Sequence, residues 1–158
     1  MADDWTEYVD DRLRFRLRHP VAWYTQPYLG MLRPHFSGVF VANVPEPFRP
    51  ENTRSGTGNR WPPSMTALPP TTVVVAFDHM AGGPVHVGGG IHRETPLPLS
   101  LHRAGHSLER GFERFTIRPI RMNGSARYSL YAWMGPDARI GQREIGEAIA
   151  ASIGPAAP

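Results

Sequence analysis

Hydrophobic and charged residues alternate strictly near the start of the chain. Residues 12–18 read Arg-Leu-Arg-Phe-Arg-Leu-Arg, which is the period-two pattern of a strand with one buried face. The pattern predicts a strand that turns Leu13, Phe15 and Leu17 inward and its four arginines outward. Pro20 should end this strand, because proline has no backbone N–H to donate to a neighbouring strand.

Two later segments are rich in valine and phenylalanine. Phe36–Val44 and Thr71–Asp78 therefore predict two further strands that are largely buried. The continuous run Val73-Val74-Val75 predicts a central position for the second strand, since both of its faces are apolar. Further along, Asn123-Gly124 separates two β-rich runs, and this dipeptide is typical of the tight turn of a β-hairpin. The runs expected to pair in that hairpin are Phe115–Arg121 and Ala126–Trp133.

Two segments have the helical spacing of apolar residues. The first extends from Leu101 to Arg114, where the spacing predicts an amphipathic helix despite two glycines. The second follows Asp137, which is expected to cap the helix N-terminus, and ends at Gly154-Pro155. The positions expected to be buried are Leu101, Leu108, Phe112 and Phe115 in the first helix and Ile145, Ala148, Ile149 and Ile153 in the second.

Together these elements predict an α+β fold, a mostly antiparallel β-sheet flanked by helices, in a single domain of residues 1–158. A long loop interrupts it, because Pro45–Pro70 contains seven prolines, which exclude a helix or a central strand. Loops of this length serve as lids or partner-binding arms, or are disordered. If the loop binds a partner, the expected contact residues are Arg49, Arg54, Arg60 and Trp61.

Composition excludes several classes of chemistry. The chain has no cysteine, and every one of its 17 basic residues is arginine. Disulfides, zinc–thiolate sites, iron–sulfur clusters and thiol nucleophiles are therefore excluded, and so are Schiff-base catalysis and a phosphate-loop lysine.

Charge is distributed unevenly along the chain. The acidic N-terminal segment 1–11 sums to −5 and the remainder to +8, which together give the formal net charge of +3. This segment lacks the basic start and apolar run of a secretory signal, and no window reaches the ~18 apolar residues of a membrane span. A cytoplasmic location without a membrane span is therefore expected.

A candidate metal site lies in residues 85–94, where the glycine run 88–90 predicts a hairpin. His86, His92 and Glu94 would share one face of it, because side chains on one face recur at every second residue. Two histidines and one carboxylate can hold a divalent metal ion. An ordinary polar, solvent-facing hairpin explains the same residues, and no other cofactor is expected.

A candidate polyanion site is formed by the outward arginines of the first predicted strand. Arg12, Arg14, Arg16 and Arg18 would stand about 7 Å apart, a spacing that could bind RNA or DNA. Alternatively, the acidic segment that immediately precedes them neutralises them locally.

The order of these elements resembles that of the PsbP-like superfamily. The matching blocks are Phe15–Trp23, with Pro20-Val21-Ala22-Trp23, and Met122–Ile153, with Asn123-Gly124, Tyr128, Tyr131, Gly135-Pro136-Asp137 and Ala151-Ser152-Ile153. The resemblance implies an antiparallel sheet with helices on both faces, in proteins that generally act by binding other proteins.

The expected function is a non-catalytic protein-binding module, such as an adaptor, a chaperone or an accessory subunit of a larger assembly. Its partner would be another protein, contacted through the proline-rich loop and through Arg14 and Arg16. The aromatic residues that could supply exposed contact area are Trp5, Tyr8, Tyr24, Tyr28, Trp61 and Trp133. The alternatives are a metal-dependent enzyme or metal-binding protein that uses His86, His92 and Glu94, and polyanion binding through the four arginines.

Overall fold

The structure is a computed structural model of the chain. The residues that it describes are 4–29, 36–45, 54–55, 58–59, 68–80, 93–101, 106–107, 111–124 and 126–157. Their strands are β1 (Trp5–Asp10), β2 (Phe15–Pro20), β3 (Tyr24–Leu29), β4 (Phe36–Ala42), β5 (Arg54–Ser55), β6 (Gly58–Asn59), β7 (Val73–Met80), β8 (His106–Ser107), β9 (Glu113–Met122), β10 (Ala126–Met134) and β11 (Gly154–Pro155). Helix α1 spans Ile140–Ser152.

The described strands form two main sheets. The large sheet has the order β3-β4-β7-β10-β9-β8, and a smaller sheet, here called the hairpin sheet, has the order β1-β2-β11. Strands β5 and β6 form a separate two-stranded ladder. Every ladder among these strands is antiparallel, which confirms the predicted α+β fold with a mostly antiparallel sheet.

The hairpin sheet and α1 pack on one face of the large sheet, here called the core face. Phe15 of β2 meets Phe77 of β7 edge-on, with the ring centroids 4.9 Å apart. Ile149 and Ile153 join the same buried cluster. Because Leu13, Phe15 and Leu17 are buried while the arginines between them are exposed, the alternation predicted for residues 12–18 is confirmed.

The opposite face of the large sheet, here called the second face, has a buried cluster of its own. Its members are Tyr28, Phe40, Ala42, Leu68, Val74, Ala76, Phe112, Tyr131 and Trp133. Val74 belongs to this cluster, whereas Val73 and Val75 belong to the cluster on the core face. The valine run is therefore buried on both sides, as predicted for a central strand.

The predicted hairpin is confirmed. Strands β9 and β10 pair across Asn123 and Gly124, both of which have a positive φ, as a tight hairpin turn requires. The register shifts between Tyr128 and Leu130, where the ladder is bulged. Pro119 falls within the bulge, so its missing N–H does not interrupt a regular ladder.

The helix predicted over Leu101–Arg114 is wrong. His106–Ser107 is strand β8 and residues 113–114 belong to β9, while Gly111 has a φ of 75°, outside the helical region. Leu101 is buried in the cluster on the core face and Phe112 in that of the second face. The apolar spacing that suggests one helical stripe thus serves opposite faces of the sheet.

The C-terminal helix is confirmed, but two of its details are wrong. Its N-cap is Arg139 and not Asp137, and no side chain caps it. Asp137 lies in the preceding turn, where its N–H donates to Pro70 O at 3.0 Å. Ala148 is exposed rather than buried, whereas Gly146 and Ala150 are buried beside Ile149.

Two broader expectations also change. Pro45–Pro70 contains the short β5–β6 ladder, so the segment is not entirely without secondary structure. The described residues place helix α1 on the core face and contain no helix on the second face.

Within the described residues, no helix is long and apolar enough to cross a membrane.

Candidate functional site

The outer face of the hairpin sheet displays an arginine stripe, defined as Arg12, Arg14, Arg16 and Arg18. All four side chains are exposed, because the alternating leucines and phenylalanine of β2 turn into the core. Arg12 and Arg14 precede the strand in a turn, and Arg14 has a φ of 62°. Of the predicted partner contacts, Arg16 thus lies with Arg18 on the outer face of β2 and Arg14 lies with Arg12 in the adjacent turn; these four residues are also the predicted polyanion site.

Strand β1 lies alongside this stripe and is acidic. Glu7 Oε1 lies 3.2 Å from Arg16 Nη1, in an exposed ion pair, and the backbone register places Glu7 opposite Arg18. Asp10 Oδ1 accepts a 2.8 Å hydrogen bond from Leu13 N and so closes the turn between the two strands. The expected local neutralisation of the arginines by the acidic segment is therefore observed at Arg16.

The backbone of β1 alternates between groups that face β2 and groups that face away from it. Asp4 O accepts a 2.8 Å hydrogen bond from Val21 N, which makes this pair a hydrogen-bonded pair of the ladder. Bonded and non-bonded pairs alternate along an antiparallel ladder. It follows from the register that the N–H and C=O groups of Trp5, Glu7 and Val9 point away from β2.

The hydrogen bonds on the other side of β2 support this alternation of bonded and non-bonded pairs. Arg18 N donates to Ser152 Oγ at 2.8 Å, and Arg14 O accepts from Ala156 N at 3.1 Å. Arg16 pairs with Gly154 of β11. The even-numbered residues of β2 thus bond away from β1, as the alternation requires, and Pro20 occupies a position where no N–H is needed for the β1 ladder.

The outward backbone groups of Trp5, Glu7 and Val9 are here called the open edge. In the described part of the chain, β1 is the terminal strand of its sheet and pairs only with β2. None of its six residues is buried, and Thr6, Glu7 and Val9 are exposed. An unpaired strand edge of this kind is a template for pairing with another chain.

The described terminal strands of the large sheet are less suited to such pairing. Strand β3 contains Pro27, which removes one donor from its backbone. Strand β8 at the other end has only two residues. Among these strands, β1 is therefore the longest terminal strand without a proline.

An open groove adjoins β1 at its first residue. It has a volume of about 480 Å³ and is lined by Trp5, Gly141, Gln142, Glu144, Ile145 and Ala148. Trp5 and Ile145 are half-buried and form the apolar part of the lining, while Glu144 is exposed. The groove thus lies between the first residue of β1 and helix α1.

A second polar feature lies on the second face of the large sheet. Tyr28 Oη donates a 2.8 Å hydrogen bond to Asp78 Oδ2 across β4, whose residue between them is Gly38. Asp78 is 1% exposed, and its Oδ1 has no hydrogen-bond partner among the described residues. Burial raises the pKa of Asp78 to about 7, although the hydrogen bond from Tyr28 acts in the opposite direction. The carboxyl group can therefore hold a proton near neutral pH.

Asp78 and His79 are adjacent in β7 but serve opposite faces. The His79 ring lies 5.1 Å from that of Tyr128, which belongs to the cluster on the core face. Burial lowers the pKa of His79. These two residues cannot bind one ion together, since successive side chains of a strand point to opposite faces.

Most of the predicted metal site lies outside the described residues. His86 and His92 fall there, and only Glu94 is described; it is exposed, with Oε1 3.5 Å from Gly124 N. Within the described ranges, no three histidine, aspartate or glutamate side chains are grouped as a metal would require. The two-histidine, one-carboxylate site stays a prediction.

The predicted loop contacts are also mostly outside the described part. Arg49, Arg60 and Trp61 lie beyond it, and Arg54 is placed only by its backbone in β5. Their contact with a partner stays a prediction.

The predicted aromatic contact surface is partly wrong. Tyr28 and Trp133 are buried in the second face, because the strands that bear them turn these positions into a packed cluster. Tyr24 is exposed, whereas Trp5 and Tyr8 are half-buried. Of the predicted aromatic contacts that the structure describes, those available to a partner therefore lie on β1 and β3.

The element of the candidate site that the sequence patterns did not predict is β1 itself. The segment Trp5-Thr6-Glu7-Tyr8-Val9 is rich in aromatic and β-branched residues, which favour a strand. Its acidic residues, however, are equally typical of a solvated terminal segment. A second indication of β1 is that its acidic residues immediately precede the arginines of β2, with which they can pair across two neighbouring strands.

Neither a scan of protein-family models nor searches among curated proteins and solved structures found a match to this chain.

Proposed function

We propose that this chain is a non-catalytic protein-binding module that takes up an extended segment of its partner at the open edge of β1. The observation that supports the proposal is the outward orientation of the backbone N–H and C=O groups of Trp5, Glu7 and Val9. Addition of a strand to a sheet edge is an established mode of peptide recognition, in which main-chain hydrogen bonds supply affinity and neighbouring side chains supply selectivity.

The groove beside Trp5 supports the same function. It is lined by Trp5, whose backbone belongs to the open edge, and by helix α1, and it offers an apolar lining next to an exposed glutamate. Partners of a binding module are commonly held by a few side chains that enter such a recess, while the surrounding contacts exclude water.

A place among PsbP-like proteins is part of this proposal. Asn123 Nδ2 donates to Arg14 O at 2.7 Å, and Ser152 Oγ accepts from Arg18 N at 2.8 Å. The contact of Ser152 with Arg18 joins the two blocks on which the resemblance is based, and that of Asn123 with Arg14 lies directly beside the first block; an antiparallel sheet with a helix on one face is compatible with the resemblance.

A substitution at Val9 tests the proposal. Val9→Pro removes one outward N–H but no bond to β2, whereas Val9→Thr keeps the N–H and the preference for a strand. Partners would be cross-linked and co-purified from cells that make the protein and quantified by mass spectrometry. We expect one partner to be recovered with the natural chain and with Val9→Thr, and to be lost with Val9→Pro. Recovery of the chain alone in every case, or equal recovery with both variants, would refute the proposal.

Polyanion binding is a second candidate, favoured by the exposure of the whole arginine stripe. Among the described residues, only Arg16 of the four forms an ion pair, with Glu7. A gel shift that weakens with salt should appear for RNA or DNA and disappear in the Arg14→Glu, Arg16→Glu double variant. Arg139→Glu, on another element, is the matched control. No shift with the unchanged protein would end this candidate.

A further inference from the structure

The charge of β1 indicates what kind of segment the open edge accepts. Glu7 and Asp10 lie within the strand, Asp4 and Asp11 lie at its two ends, and no basic residue occurs among residues 4–11. Within the described residues, Asp4 and Asp11 form no ion pair, and both are exposed. A segment that pairs with this edge therefore meets a strand whose own charged side chains are all acidic, although one of them, Glu7, is already paired with Arg16.

The chain itself shows which kind of strand pairs with β1. Among the described residues its neighbour is β2, which bears Arg16 and Arg18 on its outer face, and Glu7 lies opposite Arg18 while bonding to Arg16. Opposite charges on neighbouring strands stabilise a sheet, and like charges directly opposite destabilise it. The other side of β1, which no described strand covers, presents the same acidic strand and favours the same kind of neighbour.

A second copy of the chain is a poor occupant. The outward groups belong to Trp5, Glu7 and Val9, so a symmetric antiparallel pair that uses all of them is centred on Glu7. Such a pair places the two Glu7 carboxylates directly opposite each other, which is unfavourable. The edge thus selects against self-pairing by the same charge that selects a basic partner.

The side chains next to Glu7 suit a basic neighbour as well. Trp5 and Val9 lie on the same side of β1 as Glu7, two residues away in each direction. An arginine or lysine stem packs on such apolar groups while its charge reaches the carboxylate, and an indole ring also attracts a cation.

We infer that the open edge of β1 binds an extended, basic segment of another protein, with arginine or lysine opposite Glu7 and at alternate positions along the strand. This inference rests on the proposed function and adds the chemistry of the partner to it.

The test uses the full chain and two synthetic peptides of about nine residues, a length that spans the strand with a margin. In the basic peptide, arginine alternates with valine and threonine; in the acidic control, glutamate replaces each arginine. Binding would be measured by calorimetry or fluorescence anisotropy at low and at physiological salt, with thermal unfolding as the check that each variant folds.

We expect the basic peptide to bind with an affinity that falls as salt rises, and the acidic peptide to bind at least about tenfold more weakly. Glu7→Lys should weaken the basic peptide by about tenfold, and Glu7→Gln by less. Val9→Pro should abolish binding of the basic peptide, and Val9→Thr should retain it. On binding, the amide protons of Glu7 and Val9 should become protected from exchange.

Three results would overturn the inference. Equal binding of both peptides, or no binding of the basic one, would exclude a basic partner. A dimer of the natural chain that disappears with Val9→Pro in sedimentation would identify a second copy as the occupant. Peptide binding unaffected by Val9→Pro would place the site elsewhere. If the basic peptide fails but partner recovery still depends on Val9, the proposed function survives and only the partner's chemistry is wrong.

Discussion

At the scale of single residues, the most unusual group is the buried carboxyl of Asp78. Its pKa of about 7 lies above the ordinary value of 3.8, so the folded chain binds this proton more tightly than the unfolded chain does. The resulting stabilisation is fully present below pH ~4 and is lost as the pH rises through ~7. Its size is on the order of 4 kcal/mol at most, since each tenfold difference in proton affinity between the folded and unfolded chains corresponds to about 1.4 kcal/mol.

Asp78→Asn should remove this dependence on pH, because the amide has a similar shape, does not titrate and still offers an oxygen to Tyr28. Urea unfolding between pH 5 and pH 8 would give the free energy of unfolding for both proteins. His79, whose lowered pKa produces the opposite slope, is present in both and cancels in the difference. The difference should change in favour of Asp78→Asn as the pH rises, whereas the exposed Asp137→Asn should follow the natural chain. A difference that stays constant would show that Asp78 ionises normally.

The residue between this pair is equally constrained. A Cβ at Gly38 would overlap the Phe77 carbonyl oxygen and lie 2.7 Å from Asp78 Cα, both of them backbone atoms. Gly38→Ala should therefore lower the free energy of unfolding by about 3 kcal/mol or more. Gly141→Ala is the contrasting control, because nothing lies within 4 Å of its Cβ position in helix α1. That substitution should stabilise the protein by up to about 1 kcal/mol, measured by the same unfolding experiment. Equal effects of the two would contradict the tight approach of β4 to β7.

At the scale of elements, the amide protons of β1 that bond to β2 can be compared with those of the open edge in the same strand. If the alternation derived from the Asp4–Val21 bond is right, the amide protons of Thr6, Tyr8 and Asp10 are bonded to β2. Hydrogen exchange followed by NMR should then find these three protected and those of Glu7 and Val9 exchanging rapidly. Protection of Glu7 and Val9 in the free chain would mean that the edge is already covered, and the proposed function would fail.

The elements that could be predicted are those whose structure follows from a single local sequence pattern. The alternation of residues 12–18 and the valine run of β7 each follow from burial on one or both faces, and Asn123-Gly124 encodes its turn locally. The segment around Phe112 could not be predicted in this way, because its apolar residues are divided between two faces of a sheet whose strand order depends on distant pairings. Spacing along the chain does not reveal which face a residue reaches.

At the scale of the whole molecule, the candidate site could be predicted only in part. The exposed arginines of β2 were expected, but the open edge depends on β1 folding back beside them, and Glu7 reaches Arg16 across a separation of nine residues. The hydrogen bonds of Ser152 to Arg18 join residues 134 positions apart and determine which side of β2 is already occupied. These are consequences of tertiary packing, and no local pattern contains them.

The charge arrangement of the assembled molecule also predicts its oligomeric state. With Glu7 at the centre of the open edge, two copies repel each other there, so the chain should sediment as a monomer. Glu7→Thr keeps the preference for a strand and removes the charge, and cross-strand pairs of this kind change stability by about 0.2–1 kcal/mol. Self-association should therefore strengthen by up to about fivefold, since 1.4 kcal/mol corresponds to a factor of ten. Adding Val9→Pro to Glu7→Thr should return the protein to the monomer, because the pairing depends on the outward N–H of Val9. Sedimentation over a range of concentrations distinguishes these cases. If the Glu7→Thr variant associates no more strongly than the natural chain, the charge of Glu7 does not prevent self-pairing at this edge.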